Sequence, residues 1–203
     1  MRIKAIIIDF GGVLINWDPL NLFRKNFSNI PLDDIEKFLH EVDFYKWNLL
    51  QDKGRSFDEG VAELSSRFPQ HAELIRAYHE HWEDSITGSI HGTINIVRKL
   101  KDKGYFICGL TNFSVEKFAV IRRKYNFIQL FDRIIVSGEI KMIKPEPGIY
   151  RQTLSLIGHD AEECVFIDDS DNNVIAAKEL GFIAIRFISP EDLDIKLNKL
   201  NLL

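Results

Sequence analysis

The sequence predicts an α/β protein with a parallel sheet as its core and a helical segment inserted after the first strand. Five short apolar runs, each typical of a buried strand, alternate with helical patterns along most of the 203 residues. From about residue 18 to residue 85, by contrast, nothing resembles a strand and helical patterns dominate. Alternating strands and helices favour right-handed crossovers, so helices should cover both faces of the sheet.

The first predicted strand is the Ile-rich run of residues 4–9, which ends in Asp9 and is followed by two glycines. The pair Asp18-Pro19 is typical of a helix N-cap with proline at the first helical position. Ser56 and Glu59 form a capping-box pattern that predicts another helix further along the inserted segment. The inserted segment is therefore predicted to be a compact group of helices.

The rest of the chain repeats the strand and helix alternation to its end. The later strands are predicted at residues 105–110, 133–137, 164–168 and 182–187, and the helices between or after them at about 94–103, 114–125, 146–157, 174–180 and from 190 onward. The predicted organisation is an α/β core of residues 1–15 and 86–203 and a helical cap of residues 16–85.

Composition restricts the classes of partner. A formal net charge of -4 and a pI near 5.9 provide no basic surface for a phosphate backbone, so we expect no nucleic-acid partner. No run approaches about 18 apolar residues, and the first residues lack the apolar region of a signal peptide, so we expect no membrane partner and a cytoplasmic location.

Cys108 and Cys164 lie in apolar strands and are expected to be reduced. The oligomeric state is left open.

Polar residues follow several of the predicted strands at their carboxyl ends, where open parallel sheets bind ligands. They are Asp9, Thr111, Lys144, Asp168 and Asp169. Three carboxylates within about 4 Å would repel one another by roughly 4 kcal/mol per pair at an effective dielectric near 20, and Lys144 supplies one compensating charge. A divalent cation would balance the remaining charge, and all-oxygen ligands favour Mg²⁺.

The order and spacing of the segments IIIDFGGVL, ICGLTNFS, GEIKMIKPEPGIY and VFIDDSDNN resemble the four motifs of the haloacid-dehalogenase superfamily. The resemblance covers nearly the whole chain. It implies a Rossmann-like parallel core with a small helical-bundle cap of the C1 type. The Asp-x-Gly form of the first motif is similar to that of a branch that includes sugar-phosphate phosphatases. The implied activity is Mg²⁺-dependent hydrolysis of a small phosphorylated metabolite, sugar phosphate first, through an aspartyl-phosphate.

The resemblance also implies roles for individual residues. Asp9 would be the nucleophile, and Thr111 and Lys144 would complete the catalytic group. The implied metal ligands are Asp9, the Gly11 carbonyl, Asp168 and Asp169. The implied substrate-binding residues are Gly11, Gly12, Thr111, Asn112 and Lys144.

The first motif departs from the usual phosphatase pattern at Gly11, where phosphatases of the superfamily usually carry a second aspartate as general acid and base. Such assistance is typically worth about 10² to 10⁴ in rate. Asp18 is the nearest replacement in sequence. Two alternatives to a phosphatase follow: a catalytically lapsed binding protein, and a metal-independent 2-haloacid dehalogenase.

A few further residues have two open interpretations. Asn173 either supports the acidic pair or merely starts the next helix, and Arg55 either reaches an anionic substrate or lies solvated in a loop, which we favour. The histidines show no metal spacing, so we expect His79 and His81 at the surface. We expect core packing in the cap for the aromatic residues Phe44, Tyr45 and Trp47.

Overall fold

The structure of the protein is a computed structural model that describes residues 2–203. Its strands are, in chain order, β1 (Ala5–Ile8), β2 (Ile15–Trp17), β3 (Ile86–Ser89), β4 (Phe106–Thr111), β5 (Arg133–Val136), β6 (Cys164–Asp168) and β7 (Ile183–Arg186). Five of them form a parallel sheet in the order β5-β4-β1-β6-β7. The predicted fold class, an α/β protein with a Rossmann-like parallel core, is confirmed.

Helices precede, cover and follow the strands. They are α1 (Pro19–Asn26), α2 (Leu32–Glu41), α3 (Phe44–Asp52), α4 (Phe57–Arg67), α5 (Ala72–Glu80), α6 (His91–Asp102), α7 (Val115–Lys124), α8 (Ser137–Ile140), α9 (Pro147–Ile157), α10 (Asp171–Glu179) and α11 (Pro190–Lys199). The predicted capping box of Ser56 and Glu59 is present at the start of α4. Within residues 2–203, no helix is long and apolar enough to cross a membrane.

Strand β1 lies at the centre of the sheet because it pairs with β4 on one side and β6 on the other. Ile7 of β1 is aligned with Cys108 and Phe166, and all three side chains are fully buried. A strand covered on both faces needs a continuous apolar run, which is why these segments show no polar alternation. Cys108 and Cys164 are free and buried in this layer.

A short antiparallel ribbon, which the sequence analysis missed, connects the inserted helices to the core. Strand β2 leads out of the core and β3 returns to it, with Ile15 paired to Ser89 and Trp17 paired to Ile86. The strands are only three and four residues long, too short for an alternating pattern to be recognised. Helices α1–α5 lie between them. The division into core and cap at these positions stays a prediction.

Aromatic side chains fill the interior of the inserted helices. The rings of Phe44 and Tyr78 meet edge to face at 4.7 Å, and the Trp47 indole N–H donates to the Gly60 carbonyl at 3.0 Å. Phe44 and Trp47 are buried as expected, but the expectation was wrong for Tyr45, whose exposed fraction is 57 %. Tyr45 follows Phe44 directly on α3, so its side chain points about 100° away around the helix.

Candidate active site

Three predicted site residues meet at one edge of the sheet because the parallel strands that carry them are neighbours. Asp9 directly follows β1, Thr111 ends β4 and Asp168 ends β6. All three are buried. The Asp9 main-chain N–H donates to the Ile167 carbonyl at 3.0 Å, so the sheet hydrogen bonding continues into the site and fixes the position of Asp9.

Lys144 links two of the acids in the interior. Its side chain is 1 % exposed, and its Nζ lies 2.9 Å from Asp9 Oδ1 and 2.6 Å from Asp168 Oδ2. The same ammonium donates to the Leu110 carbonyl at 2.9 Å. Three acceptors therefore match the three N–H donors of the ammonium group. Although burial opposes the charge, the carboxylates of Asp168 and Asp9 raise the pKa of Lys144, so it remains a cation.

Asn112 holds the main chain of Lys144. Its amide Nδ2 donates to the Lys144 carbonyl at 2.9 Å, and its Oδ1 accepts from the Lys144 main-chain N–H at 2.8 Å. This two-point contact joins the end of β4 to the loop before α9. Asn112 was predicted to bind substrate; the structure shows that its amide is engaged with Lys144, while the residue also lines the cavity described below.

Asp168 is held on its second oxygen by the loop that follows β6. Its Oδ1 accepts from the Ser170 main-chain N–H and from Asn173 Nδ2, both at 2.9 Å. Asn173 also lies in the first turn of α10, so both interpretations of this residue hold together. The loop thereby fixes the orientation of the Asp168 carboxylate.

The three acids form one cluster. Oxygen atoms of Asp9, Asp168 and Asp169 all lie within 4.8 Å of one another. Burial, with a further contribution from Asp168, raises the pKa of Asp9 to about 7 despite the opposing effect of Lys144. One lysine does not neutralise three carboxylates, and the donors are all oxygen, so the residues present fit a hard divalent cation such as Mg²⁺.

The two glycines after β1 differ in what they require. Gly12 has a positive φ of 69°, and a Cβ built on it would lie 2.2 Å from Asp169 Oδ2. Position 12 therefore needs glycine both for its backbone conformation and for the close approach of the Asp169 carboxylate. A Cβ on Gly11 would meet no heavy atom within 4 Å. Neighbouring atoms therefore do not require glycine at position 11.

A cavity of about 80 Å³ lies beside this cluster, between the core and the inserted helices. Five of its eleven lining residues are aromatic, which favours an apolar or ring-shaped group of a ligand. Its lining residues are Gly11, Trp17, Asn48, Asp52, Phe57, Tyr78, Trp82, Asn112, Phe113, Ser114 and Lys117.

The cavity wall contains two ionisable residues that the sequence analysis missed. Asp52, the last residue of α3, is 9 % exposed, and burial raises its pKa to about 7. Lys117 on α7 is equally buried; its Nζ donates to the His79 carbonyl at 2.7 Å and lies 4.5 Å from the ring centroid of Phe57. Neither residue follows a strand. The search for polar residues at the carboxyl ends of predicted strands therefore could not identify them.

The structure modifies three further expectations. The Asp18 carboxylate is the N-cap of α1, where it accepts from the Leu20 main-chain N–H at 2.9 Å, so it was a poor choice as replacement acid. His79 is half-buried and stacks on the Phe57 ring, whereas His81 is exposed as expected. Arg55 is not simply solvated, because its guanidinium donates to Gln51 and pairs with Glu63 within the inserted helices.

A parallel sheet with buried acids and a buried lysine at its carboxyl edge defines an α/β enzyme with an acidic centre whose residues fit a cation. Residues 3–181 match the sequence model of the haloacid dehalogenase-like hydrolases. The chain belongs to this family, and the resemblance inferred from the motifs is confirmed at the level of the family.

The chain is similar to several phosphatases. It is 27 % identical to the sesquiterpene phosphatase astK of Aspergillus oryzae over 90 % of this chain and 88 % of the relative. It is 22 % identical to the pyrophosphatase PpaX of Bacillus mycoides, over 89 % and 81 % of the two chains. A solved family enzyme from Bacteroides thetaiotaomicron, a magnesium complex, is 26 % identical, with a TM-score of 0.76 over 97 % and 99 % of the chains. The prediction of a phosphatase-type hydrolase is confirmed.

Proposed function

We propose that the protein is a Mg²⁺-dependent phosphatase that hydrolyses a small phosphate monoester through an aspartyl-phosphate on Asp9. The observation that carries the proposal is the buried Lys144, whose ammonium lies between Asp9 and Asp168 in a cluster with Asp169. A nucleophilic carboxylate, a fixed cation and a set of hard oxygen ligands are what transfer of a dianionic phosphoryl group requires.

Each residue of the cluster then has a chemical task. Asp9 Oδ1 is occupied by the Phe10 main-chain N–H at 2.7 Å and by Lys144, so the other oxygen is the one available to attack phosphorus. Lys144 and the Gly11 main-chain N–H would stabilise charge on the phosphoryl oxygens. The Gly12 N–H, which was also predicted to bind substrate, instead donates to the Ile15 carbonyl at 2.9 Å. Thr111 and Asn112 are proposed to bind the phosphoryl group because they directly follow Leu110, whose carbonyl accepts from Lys144. Splitting the hydrolysis into two transfers lowers the barrier of each.

Mg²⁺ would be held by Asp9, Asp168, Asp169 and the Gly11 carbonyl, and when bound it supplies positive charge that balances the carboxylates and the substrate phosphate. Two features support this assignment. The three carboxylates lie close enough to share one ion, and Gly12 leaves room for the Asp169 side chain. A magnesium complex of a family enzyme with 26 % identity is consistent with it.

We expect Gly12→Ala to weaken Mg²⁺ binding at least about tenfold, because orienting contacts of metal ligands typically contribute 10- to 100-fold to affinity. The added Cβ would displace the Asp169 carboxylate and strain a residue with positive φ. Calorimetric titration with Mg²⁺ measures the effect. Gly148→Ala is the matched control, since its Cβ would meet its nearest neighbour, Met142 Sδ, at 3.6 Å. Equal Mg²⁺ affinities of the two variants would show that Asp169 is not a metal ligand.

The cavity wall bears on the substrate. The family resemblance of the first motif implies a sugar phosphate, and Asn48, Asp52 and Lys117 could hydrogen-bond to hydroxyl groups. The aromatic side chains of Trp17, Phe57, Tyr78, Trp82 and Phe113 favour a second candidate, a phosphate ester of an apolar or unsaturated alcohol. The name of the relative astK, a sesquiterpene phosphatase, supports this second class.

A substrate panel tests the proposal. We expect phosphate release with Mg²⁺ from at least one of a hexose 1-phosphate, a hexose 6-phosphate, an aryl phosphate and a short isoprenyl phosphate. Removal of Mg²⁺ by a chelator should reduce the rate at least about 100-fold, because the acid cluster then carries uncompensated charge. No release above an Asp9→Asn control across the panel would favour the lapsed binding protein. Halide release from 2-haloacids without metal would favour the dehalogenase.

We also propose which kind of partner the protein binds. A formal net charge of -4 supports a small phosphorylated molecule rather than nucleic acid as the partner. The expectations of no membrane partner and of a cytoplasmic location are likewise retained from the sequence.

A further inference from the structure

The proposed phosphatase lacks the usual acid at position 11, yet a carboxyl group borders the space in front of Gly11. Among residues 2–203, Asp52 is the one carboxylate in the wall of the cavity that Gly11 also lines. We propose that Asp52, supplied by the inserted helices, is the general acid and base of this enzyme in place of the missing aspartate. The inference rests on the proposed function.

The main chain of Asp52 is attached to the core, so the residue has a fixed position over the site. The Ser137 hydroxyl, just after β5, donates to the Asp52 carbonyl at 2.5 Å and accepts from the Phe113 main-chain N–H at 2.8 Å. One hydroxyl thus joins the end of α3 to the loop after β4. A group that must reach the leaving oxygen needs this kind of fixed placement.

The side chain of Asp52 is also oriented. Asn48 Nδ2, one turn earlier on α3, donates to Asp52 Oδ2 at 3.1 Å. Asn48 lines the cavity as well. Neighbours that donate hydrogen bonds stabilise the ionised form, which the second half of the reaction requires.

The charges around Asp52 suit a group that gains and loses a proton near neutral pH. Burial is the main cause that raises its pKa to about 7; Asp9 adds to this effect, and the Lys144 ammonium opposes it. Tyr78 on α5 and Lys117 on α7 face the same cavity. The Tyr78 hydroxyl is neutral, because burial and the Asp52 charge raise its pKa. A general acid works best when its pKa lies near the working pH.

The two chemical steps balance around one proton. In the first, an oxygen of Asp9 forms a bond to phosphorus, the bond to the ester oxygen breaks, and the Asp52 carboxyl group gives its proton to that oxygen. The free alcohol leaves. In the second, the Asp52 carboxylate takes a proton from water as the water oxygen bonds to phosphorus. The bond to Asp9 breaks, inorganic phosphate is released, and both aspartates return to their initial states.

The open space at Gly11 allows a rescue experiment. Since a Cβ at position 11 meets nothing within 4 Å, the first atom of a side chain fits there, and Gly11→Asp would restore the usual family acid. We would compare the holoenzyme with Asp52→Asn, with Gly11→Asp and with the double variant. Asp43→Asn is the matched control: Asp43 precedes the same helix, has a left-handed backbone that asparagine tolerates, and its side chain is 69 % exposed.

With an alkyl phosphate, whose leaving group has a high pKa, we expect Asp52→Asn to lower kcat by about 10² to 10³. With an aryl phosphate carrying a good leaving group, the loss in the first step should be below about tenfold, because little protonation is needed. The double variant should recover at least about tenfold with the alkyl ester. Asp43→Asn should match the unmodified protein. In the unmodified protein the rate should fall above about pH 7, where Asp52 loses the proton that it donates. Asp52→Asn should show no such fall.

A second readout does not depend on turnover. The folded-state pKa of Asp52 is raised above the ordinary value of 3.8 to about 7. The folded protein therefore holds a proton that the unfolded chain releases, and stability falls as pH rises from about 4 to 7. In metal-free protein, Asp52→Asn should show a smaller fall in Tm between pH 5 and pH 8 than Asp43→Asn does.

Failure of this inference is distinguishable from failure of the proposed function. If Asp9→Asn is inactive but Asp52→Asn keeps full kcat on the alkyl ester, the phosphatase stands and the role of Asp52 is refuted. If Asp52→Asn loses kcat equally on both esters and Gly11→Asp does not restore it, Asp52 has only a packing role. If the unmodified protein releases no phosphate from either ester, the proposed function itself fails.

Discussion

Asp9→Asn is expected to abolish phosphate release, with kcat lowered at least about 10⁴-fold, while the fold stays intact. An amide does not form the phosphorylated intermediate, and removal of a nucleophile typically costs this much or more. Asparagine keeps an oxygen that can accept from the Phe10 main-chain N–H and from Lys144, as Asp9 Oδ1 does now. The geometry of the loop should therefore survive the loss of the charge.

The stability of Asp9→Asn separates a catalytic role from a structural one. Burial raises the pKa of Asp9 to about 7, which means that the folded state disfavours its charge. A neutral amide should therefore leave Tm unchanged or raise it in metal-free protein at pH 8. Calorimetry measures Tm, and mass spectrometry of the quenched reaction should find phosphate on Asp9 in the unmodified protein and in Asp43→Asn. Substantial turnover by Asp9→Asn would place the nucleophile elsewhere.

The sheet and its edge were predictable because burial on both faces leaves a strong trace in the sequence. The predicted strand at 164–168 matches Cys164–Asp168, and the prediction at 133–137 extends one residue beyond Arg133–Val136. In a parallel sheet the residue that ends each apolar run lies at a common edge. Asp9, Thr111 and Asp168 were therefore placed together without knowledge of any contact.

Lys144 was located by its motif, but its three partners depend on packing. Its ammonium lies between β1, β4 and β6 because Asn112 holds its main chain from the end of β4. A sequence shows that a lysine lies between a predicted strand and a predicted helix; it does not show a pair of amide hydrogen bonds across 32 residues. The burial of this charge is a tertiary property.

The proposed general acid shows more clearly what the sequence alone could not predict. Asp18 is close to Gly11 in sequence, but the unpaired main-chain N–H groups of α1 take its carboxylate as a cap. Asp52 is 41 residues from Gly11 along the chain, at the end of a helix whose sequence marks it as an ordinary surface acid. Only the return of the inserted helices over the core brings it to the cavity. Site residues contributed by inserted segments need coordinates to be found.

Lys144→Met should lower kcat at least about 10³-fold and destabilise the protein by about 3 to 5 kcal/mol, since it leaves buried carboxylates without their cation. Asp168 loses its 2.6 Å contact, and the Leu110 carbonyl loses its donor. The destabilisation should be larger at pH 8 than at pH 5, because protonation at the lower pH relieves the repulsion between the acids.

Urea unfolding of Lys144→Met at the two pH values measures this loss against a surface control. Lys46→Met removes a lysine whose side chain is 81 % exposed, and its stability should stay within about 0.5 kcal/mol of the unmodified protein. Asp9→Asn and Lys144→Met should both be inactive, yet only the loss of the Lys144 ammonium should weaken the fold. A Lys144→Met protein as stable as Lys46→Met would mean that the acid cluster is not held together by this lysine, and the electrostatic basis proposed for the site would have to be abandoned.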